Sequence, residues 1–442
     1  MPDEMGDISF QANKRLSIHS WFGYVTGYDA NFVRETIEQY CDEPSETDTP
    51  TVFDPYCGSG TTLVEAIDTG RDAIGIEINP FMAFVSRTKT DWTTYPHDIR
   101  RGAREFLNDV EPQVLSAFPH RTLDSFHDGA IADKPPEVKA DIPELANINK
   151  WYTDPVLEQL RILKGNIKTI ENEGLKALSL LAFASILVDV SNGGYDPSLG
   201  YRRDSDGDII QNQANVAQAF EEKLVQFVSD AEQTVLDREK AYGDSMVIVS
   251  DGEQYPALKD ECVDLLVTSP PYVNNMNYIR QTRPHLYWLD YWADRSRRKF
   301  EDNMMGSYWQ IVRNKSIEIE YPTETLRNVT DDIRQEEPER EELGGPGWAR
   351  YVTRYFNDTG HAFEQHYRLL TPDSYAVYVV GNSVIKGINV PVGEILAEMI
   401  DEYFDFEIVR APQHSNDKRK ASSLRTNDLT DVVVTIHKPD ES

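Results

Sequence analysis

Cysteine is scarce in this chain: the three residues, Cys41, Cys57 and Cys262, form no Cys-x-x-Cys pair. That excludes a disulfide scaffold and a conventional thiolate zinc site, and no other metal site is expected. Basic residues are also short, with 44 Lys+Arg against 75 Asp+Glu in 442 residues and a formal net charge of −31. Long apolar runs are missing. The longest, Ala177–Val190, is about one turn short of a bilayer span and carries Asp189, so it reads as a core helix. The opening MPDEMGDISF has neither a basic n-region nor an apolar h-region, so no secretory leader is expected. These absences lead to the expectation of a soluble, cytoplasmic protein with no membrane partner.

Apolar residues make up 40% of the chain and aromatics 10%, enough to bury a large core and to rule out global disorder. The length suggests two or three domains. The acid is spread over the chain rather than gathered in a tail, which reads as halophilic adaptation: acidic surfaces stay hydrated while salt screens their repulsion. Net charge therefore neither supports nor excludes a nucleic-acid partner, whose phosphates need only local Lys and Arg.

Residues Asp29–Tyr40 read as a capped amphipathic helix with Phe32, Val33 and Ile37 on one face. TVFDPYCGSGTTLVEAIDTGRDAIGIEINP then reads strand (Thr51–Phe53), Gly-rich turn, helix (Thr61–Thr69), turn and strand (Ala73–Ile78). From Asp91 to Tyr242 a period of 3.6 dominates, predicting a mostly helical insertion with a Gly- and Asp-rich loop at Ser191–Asp208. α/β character returns with SMVIVSDGE and CVDLLVTSPPY. Asp294–Gly347 is charged and broken, with a basic DRSRRK and an acidic DDIRQEEPEREELGGPG that is expected to be mobile. A helix (Trp348–Leu370), a strand, a further helix and two strands follow, with the basic KRKASSLR between the last two.

Two constellations carry chemistry. In Asp54-Pro55-Tyr56-Cys57-Gly58-Ser59-Gly60-Thr61-Thr62, the glycines permit a tight turn and close backbone approach to a ligand, and the next helix offers free N–H groups. Glu77, ending the next strand with Ile78 after it, suits a carboxylate that accepts from ribose hydroxyls. Leu63 stands where a dinucleotide fingerprint wants its third glycine, and no Lys-Ser/Thr follows as in a P-loop. Asp54 would repel a pyrophosphate but suits a cationic amino-acid end. S-adenosylmethionine, adenosine joined to an aminoacyl group, fits both halves. The bland alternative is a structural glycine turn. The second constellation is Ser269-Pro270-Pro271-Tyr272, again after a strand. Its prolines fix the backbone and leave a carbonyl with no competing local N–H. The Ser269 hydroxyl and the Pro270 carbonyl can accept from an exocyclic amine, and Tyr272 can stack on its base.

DPYCGSGTTLVEA, GIEINP and TSPPYVNNMNYIR together resemble the amino-DNA methyltransferases, which methylate cytosine N4 or adenine N6. The likeness covers Ile18–Thr90, Met246–Trp292 and, less tightly, Ser374–Lys438. It implies a Rossmann-like S-adenosylmethionine-dependent methyltransferase sheet of seven strands, the final one antiparallel, and double-stranded DNA with a flipped-out target base. Catalytic-domain segments 1–90 and 243–442 then enclose the helical insertion 91–242 and the charged insertion 294–347, both candidates for target recognition. Carried over by position, Asp54, Pro55, Tyr56, Gly58, Ser59, Gly60, Thr61 and Thr62 belong to the cofactor site, with Glu77 the ribose ligand and Ile78 beside it, Asp251-Gly252 the acidic turn near adenine, and Ser269–Tyr272 the catalytic motif. His19–Phe32 loosely resembles the segment that closes over methionine.

Serine in the first motif position favours cytosine N4, with adenine N6 the alternative, and a restriction nuclease is a possible partner. Carbon-5 cytosine methylation is out, since no Pro-Cys dipeptide exists. An RNA guanine-N2 methyltransferase shares the glycine turn but wants Asp-Pro-Pro and an N-terminal RNA-binding domain. A regulator that has lost catalysis is disfavoured by the intact SPPY. Cys57 is read as a small packing residue, His285 and Trp288 as a helix packing face, and Arg295, Arg297, Arg298 and Lys299 as either solvated or phosphate-contacting.

Overall fold

The computed structural model describes residues 12–23, 27–45, 47–92, 98–117, 138–195, 198–236, 242–250, 255, 258–292, 303–306, 308–414 and 431–440. Seven strands build one sheet: β1 Thr51–Asp54, β2 Asp72–Glu77, β3 Ser245–Val249, β4 Val263–Thr268, β5 Leu370–Gly381, β6 Glu407–His414 and β7 Asp431–Lys438. Their spatial order is β6-β7-β5-β4-β1-β2-β3. Pairs β1–β2, β1–β4, β2–β3 and β4–β5 are parallel, while β7 runs antiparallel to β5 and β6. This is the expected Rossmann-like methyltransferase sheet with its final strand reversed.

Alternation along the strands assigns each side chain to one of two cores. Val52, Leu265, Val267, Val377 and Val379 face one layer, and Phe53, Leu266, Ala376, Tyr378 and Val380 face the other. The first layer holds helices α1 Ala30–Tyr40 and α2 Thr61–Asp68, where helices were expected, and α3 Pro80–Thr90, which was not expected. Asp29 caps α1 by accepting from Phe32 N–H, and Asn79 caps α3 by accepting from Phe81 N–H. Helices α4 Ile99–Leu115, α5 Asp154–Ile167, α6 Glu173–Ile186 and α7 Val216–Leu236 continue that layer. The apolar α6 buries Leu178, Leu181 and Phe183 completely, as its composition requires, and Trp21 stacks on Phe227 of α7. Among the described residues no helix is long and apolar enough to cross a membrane.

Two expectations need correction. The Ser191–Asp208 loop contains a hairpin, Gly193–Tyr195 paired with Leu199–Tyr201, pressed so close to Trp151 that a Cβ at Gly193 would lie 2.4 Å from Cζ3. The acidic stretch after Asp294 is not mobile chain throughout: Glu324–Gln335 is helix α8, capped by Thr323. Leu326, Val329 and Ile333 recur at helical spacing and bury against the second core, alongside α9 Gly345–Leu369 and α10 Val392–Tyr403. DRSRRK and KRKASSLR lie outside the described residues.

Candidate active site

Parallel pairing sets the carboxyl ends of β4, β1, β2 and β3 side by side, and each delivers one marked segment. Ser269 follows β4, Asp54 ends β1, Glu77 ends β2 and Ser250 follows β3. Order reverses between β1 and β4, where ligands of open α/β sheets settle. A cavity lies there, walled by Pro55, Tyr56, Cys57, Gly58, Ser59, Thr61, Glu77, Ile78, Ser250, Ser269 and Pro271. Gly27, Tyr28, Ile76, Asn79, Tyr278, Ile279, Met304 and Met305 complete it.

The glycine turn is shaped as its sequence demands. Gly58 and Gly60 have φ of 49° and 83°, the left-handed region. A Cβ at Gly60 would sit 2.4 Å from Ser86 Oγ. Glu77 accepts from the Gly58 N–H at 3.0 Å and the Asn79 N–H at 2.7 Å, and burial pushes its carboxyl up to about 7. Each carboxylate oxygen accepts more than one bond, so capacity remains toward the cavity.

Asp54, Gly60, Thr62, Pro270 and Tyr272 are absent from that wall. Asp54 is 1% exposed and faces inward. Its Oδ1 accepts from Thr268 Oγ1 (2.6 Å) and the Tyr56 N–H (3.0 Å), and its Oδ2 from Thr62 Oγ1 (2.7 Å) and Tyr28 OH (3.4 Å). Burial raises its carboxyl above the usual range, which these donors oppose. Asp54 thus ties the glycine turn to the strand that leads into Ser269. Tyr272 is buried; its N–H donates to Tyr278 OH (3.1 Å), while its own hydroxyl donates to Asp431 Oδ1 (3.2 Å) and accepts from Ser269 Oγ (3.5 Å). Asp251 and Gly252 lie outside the described residues, but the neighbouring Ser250 is on the wall.

The packing readings agree with the structure. Cys57 is buried beside Gly75, where a Cβ would come within 2.9 Å of its Sγ, and burial raises its thiol well above the ordinary range. His285 stacks on Phe81, with its imidazolium disfavoured by burial to about 4, and Trp288 is fully buried. Sequence reasoning missed Tyr28, Asn79, Tyr278, Met304, Met305 and Asp431. Asn79 and Tyr278 stand inside the marked stretches GIEINP and TSPPYVNNMNYIR, and the Met pair is an apolar island in a charged run. Asp431 had no signal of its own.

The wall suits S-adenosylmethionine: a carboxylate for ribose, a turn that lacks a Cβ at Gly58, and the apolar Ile76, Ile78, Ile279 and Met304 for a purine. The sheet is that of a Rossmann-like methyltransferase, and the wall fits S-adenosylmethionine. A family model described as DNA methylase matches residues 10–85. The chain is 24% identical to type II methyltransferase M.MvaI of Kocuria varians, over 80% of this chain and 74% of that protein. It is 23% identical to M.BsoBI of Geobacillus stearothermophilus (91% and 81%) and 23% identical to M.AvaI of Anabaena variabilis (89% and 80%). These likenesses support an amino-DNA methyltransferase family, whose methyl donor is S-adenosylmethionine.

Proposed function

We propose that this protein is a site-specific DNA methyltransferase acting on an exocyclic amine, with cytosine N4 the favoured target. The observation that carries the reading is that Ser269 and Pro271 share one cavity wall with Glu77, Gly58, Ser59 and Thr61. S-adenosylmethionine, when bound, supplies the methyl carbon and keeps the electron pair of the broken carbon–sulfur bond. Glu77 and the glycine turn would hold the cofactor. Ser269 Oγ and the Pro270 carbonyl would accept the hydrogens of the amine and leave its lone pair free for the methyl group, and the proton released from nitrogen would go to water. Binding both substrates in one cavity supplies proximity, and the motif's oxygens stabilise the positive charge growing on nitrogen. Tyr272 stacks on the flipped base once it enters.

Similarity to proteins named type II methyltransferases supports site specificity and a place beside a restriction nuclease. The segments 91–242 and 294–347 are the proposed readers of the target sequence. Serine as first motif residue supports cytosine over adenine. The test is tritiated methyl transfer to DNA from a strain lacking the gene, with product bases separated by chromatography. Label in N4-methylcytosine is expected, label in N6-methyladenine selects the adenine reading, and no label on DNA rejects both. The acid excess belongs to the proposal as adaptation to a salty cytoplasm. The unfolding midpoint should then rise from dilute buffer to molar KCl, and a fall would contradict it.

A further inference from the structure

A serine hydroxyl has two polarities. Its oxygen can accept from an amine, or its proton can point at the amine's lone pair, and only the first leaves that pair free to take a methyl group. Where an amino-methyltransferase motif begins with Asp, a carboxylate guarantees acceptance; Ser269 carries no such guarantee. The structure supplies one from elsewhere. Ser269 Oγ donates to Tyr272 OH at 3.5 Å, and Tyr272 OH donates to Asp431 Oδ1 at 3.2 Å. A carboxylate only accepts, so the tyrosine proton must point at Asp431 and the tyrosine lone pairs at Ser269. The first of these bonds is long, and such contacts tighten when substrate is held.

Asp431 reaches the motif through topology. It opens β7, which runs antiparallel to β5 and pairs Asp431 with Gly381, so the start of β7 lies at the edge where the parallel strands end. There the carboxylate is 6% exposed. We propose that Asp431 is a positioning residue for methyl transfer: acting through Tyr272, it fixes the Ser269 hydroxyl with its proton turned away from the cavity and its lone pairs toward the exocyclic amine. The inference rests on the function proposed above and deepens it.

Tyr272→Phe keeps the ring and cuts the chain, and Asp431→Asn keeps the shape and removes the charge. Each should lower kcat about tenfold while KM for DNA and the calorimetric Kd for S-adenosylmethionine stay within about twofold. The double variant should be no slower than the slower single one, because both cut the same chain. A purely structural Asp431 would instead raise KM or weaken cofactor binding, and the two losses would multiply; either result overturns the proposal. Should Asp431→Asn fail to fold, Tyr272→Phe decides alone, and full kcat in that variant refutes the chain. A wild-type protein that transfers no methyl to DNA would defeat the function reading itself. Wild-type transfer with unimpaired variants defeats only the role of Asp431.

Discussion

The ends of β1 and β4 lie next to each other and are held in opposite ways. At the β1 end every acceptor of Asp54 is engaged, by Thr268, Thr62, Tyr56 and Tyr28, and the following turn closes through two glycines at positive φ. At the β4 end two prolines contribute no donors, and Ser269 faces the cavity on a 3.5 Å bond to Tyr272. One end is finished without a substrate, whereas the other has acceptors to spare. A rigid cradle beside an under-committed hydroxyl suits a site that must hold a cofactor firmly and complete its chemistry only when an amine arrives.

Gly60→Val is the most severe way to break that contrast. The left-handed φ of 83° and a Cβ 2.4 Å from Ser86 Oγ leave valine no placement without moving α3. A loss of about 3 kcal/mol or more is expected, together with loss of cofactor binding. Thermal unfolding and calorimetry measure both, and a wild-type melting curve would show the cradle to be soft. Asp54→Ala comes next. It leaves the hydroxyls of Thr62, Thr268 and Tyr28 without their shared acceptor, at about 2–4 kcal/mol. Cofactor affinity should fall because the turn loosens, and Asp54→Asn, which keeps one acceptor oxygen, should recover much of the loss. An Asp54→Ala protein of full stability that binds no cofactor would instead mean a direct charge contact.

Tyr272→Ala probes the other end. The base loses its stacking partner, worth about 1–3 kcal/mol, so methyl transfer should fall roughly 10- to 100-fold. Cofactor binding should persist, since Tyr272 is not on the cavity wall. Undiminished transfer would place the chemistry elsewhere.

What was legible in the chain is what depends on local spacing. The glycine turn, the strand ends bearing Glu77 and Ser269, and the cap at Asp29 are all written within a few neighbouring residues. The direction in which Asp54 faces was not, because Thr268, which draws it inward, lies on another strand. Asp431 was hidden for the same reason: sheet order brings it to the motif. Composition concealed α8, whose stripe of Leu326, Val329 and Ile333 is diluted by acidic residues, although its period was there to be counted. The three-residue strands of the 193–201 hairpin are too short and glycine-rich for alternation to register.

The smallest expected effect belongs to Glu77, and it sharpens the contrast by asking how finished the cradle is. Burial pushes this carboxyl from an ordinary 4.5 up to about 7, so near neutrality it is only partly ionised. Ribose hydroxyls donate best to the ionised form. Affinity for S-adenosylmethionine should therefore tighten as pH rises through 7, by about tenfold between pH 6 and 8, in calorimetric titrations. Stability moves the other way. A carboxyl raised in the folded state favours the fold in its neutral form, so its contribution is fully present below about 4.5 and is lost as pH rises to about 7. Glu77→Gln should flatten both dependences at once, binding the cofactor weakly at every pH. A mutant that keeps the wild-type pH dependence of affinity would show that another group titrates, and that Glu77 serves the turn through Gly58 and Asn79 rather than the ribose.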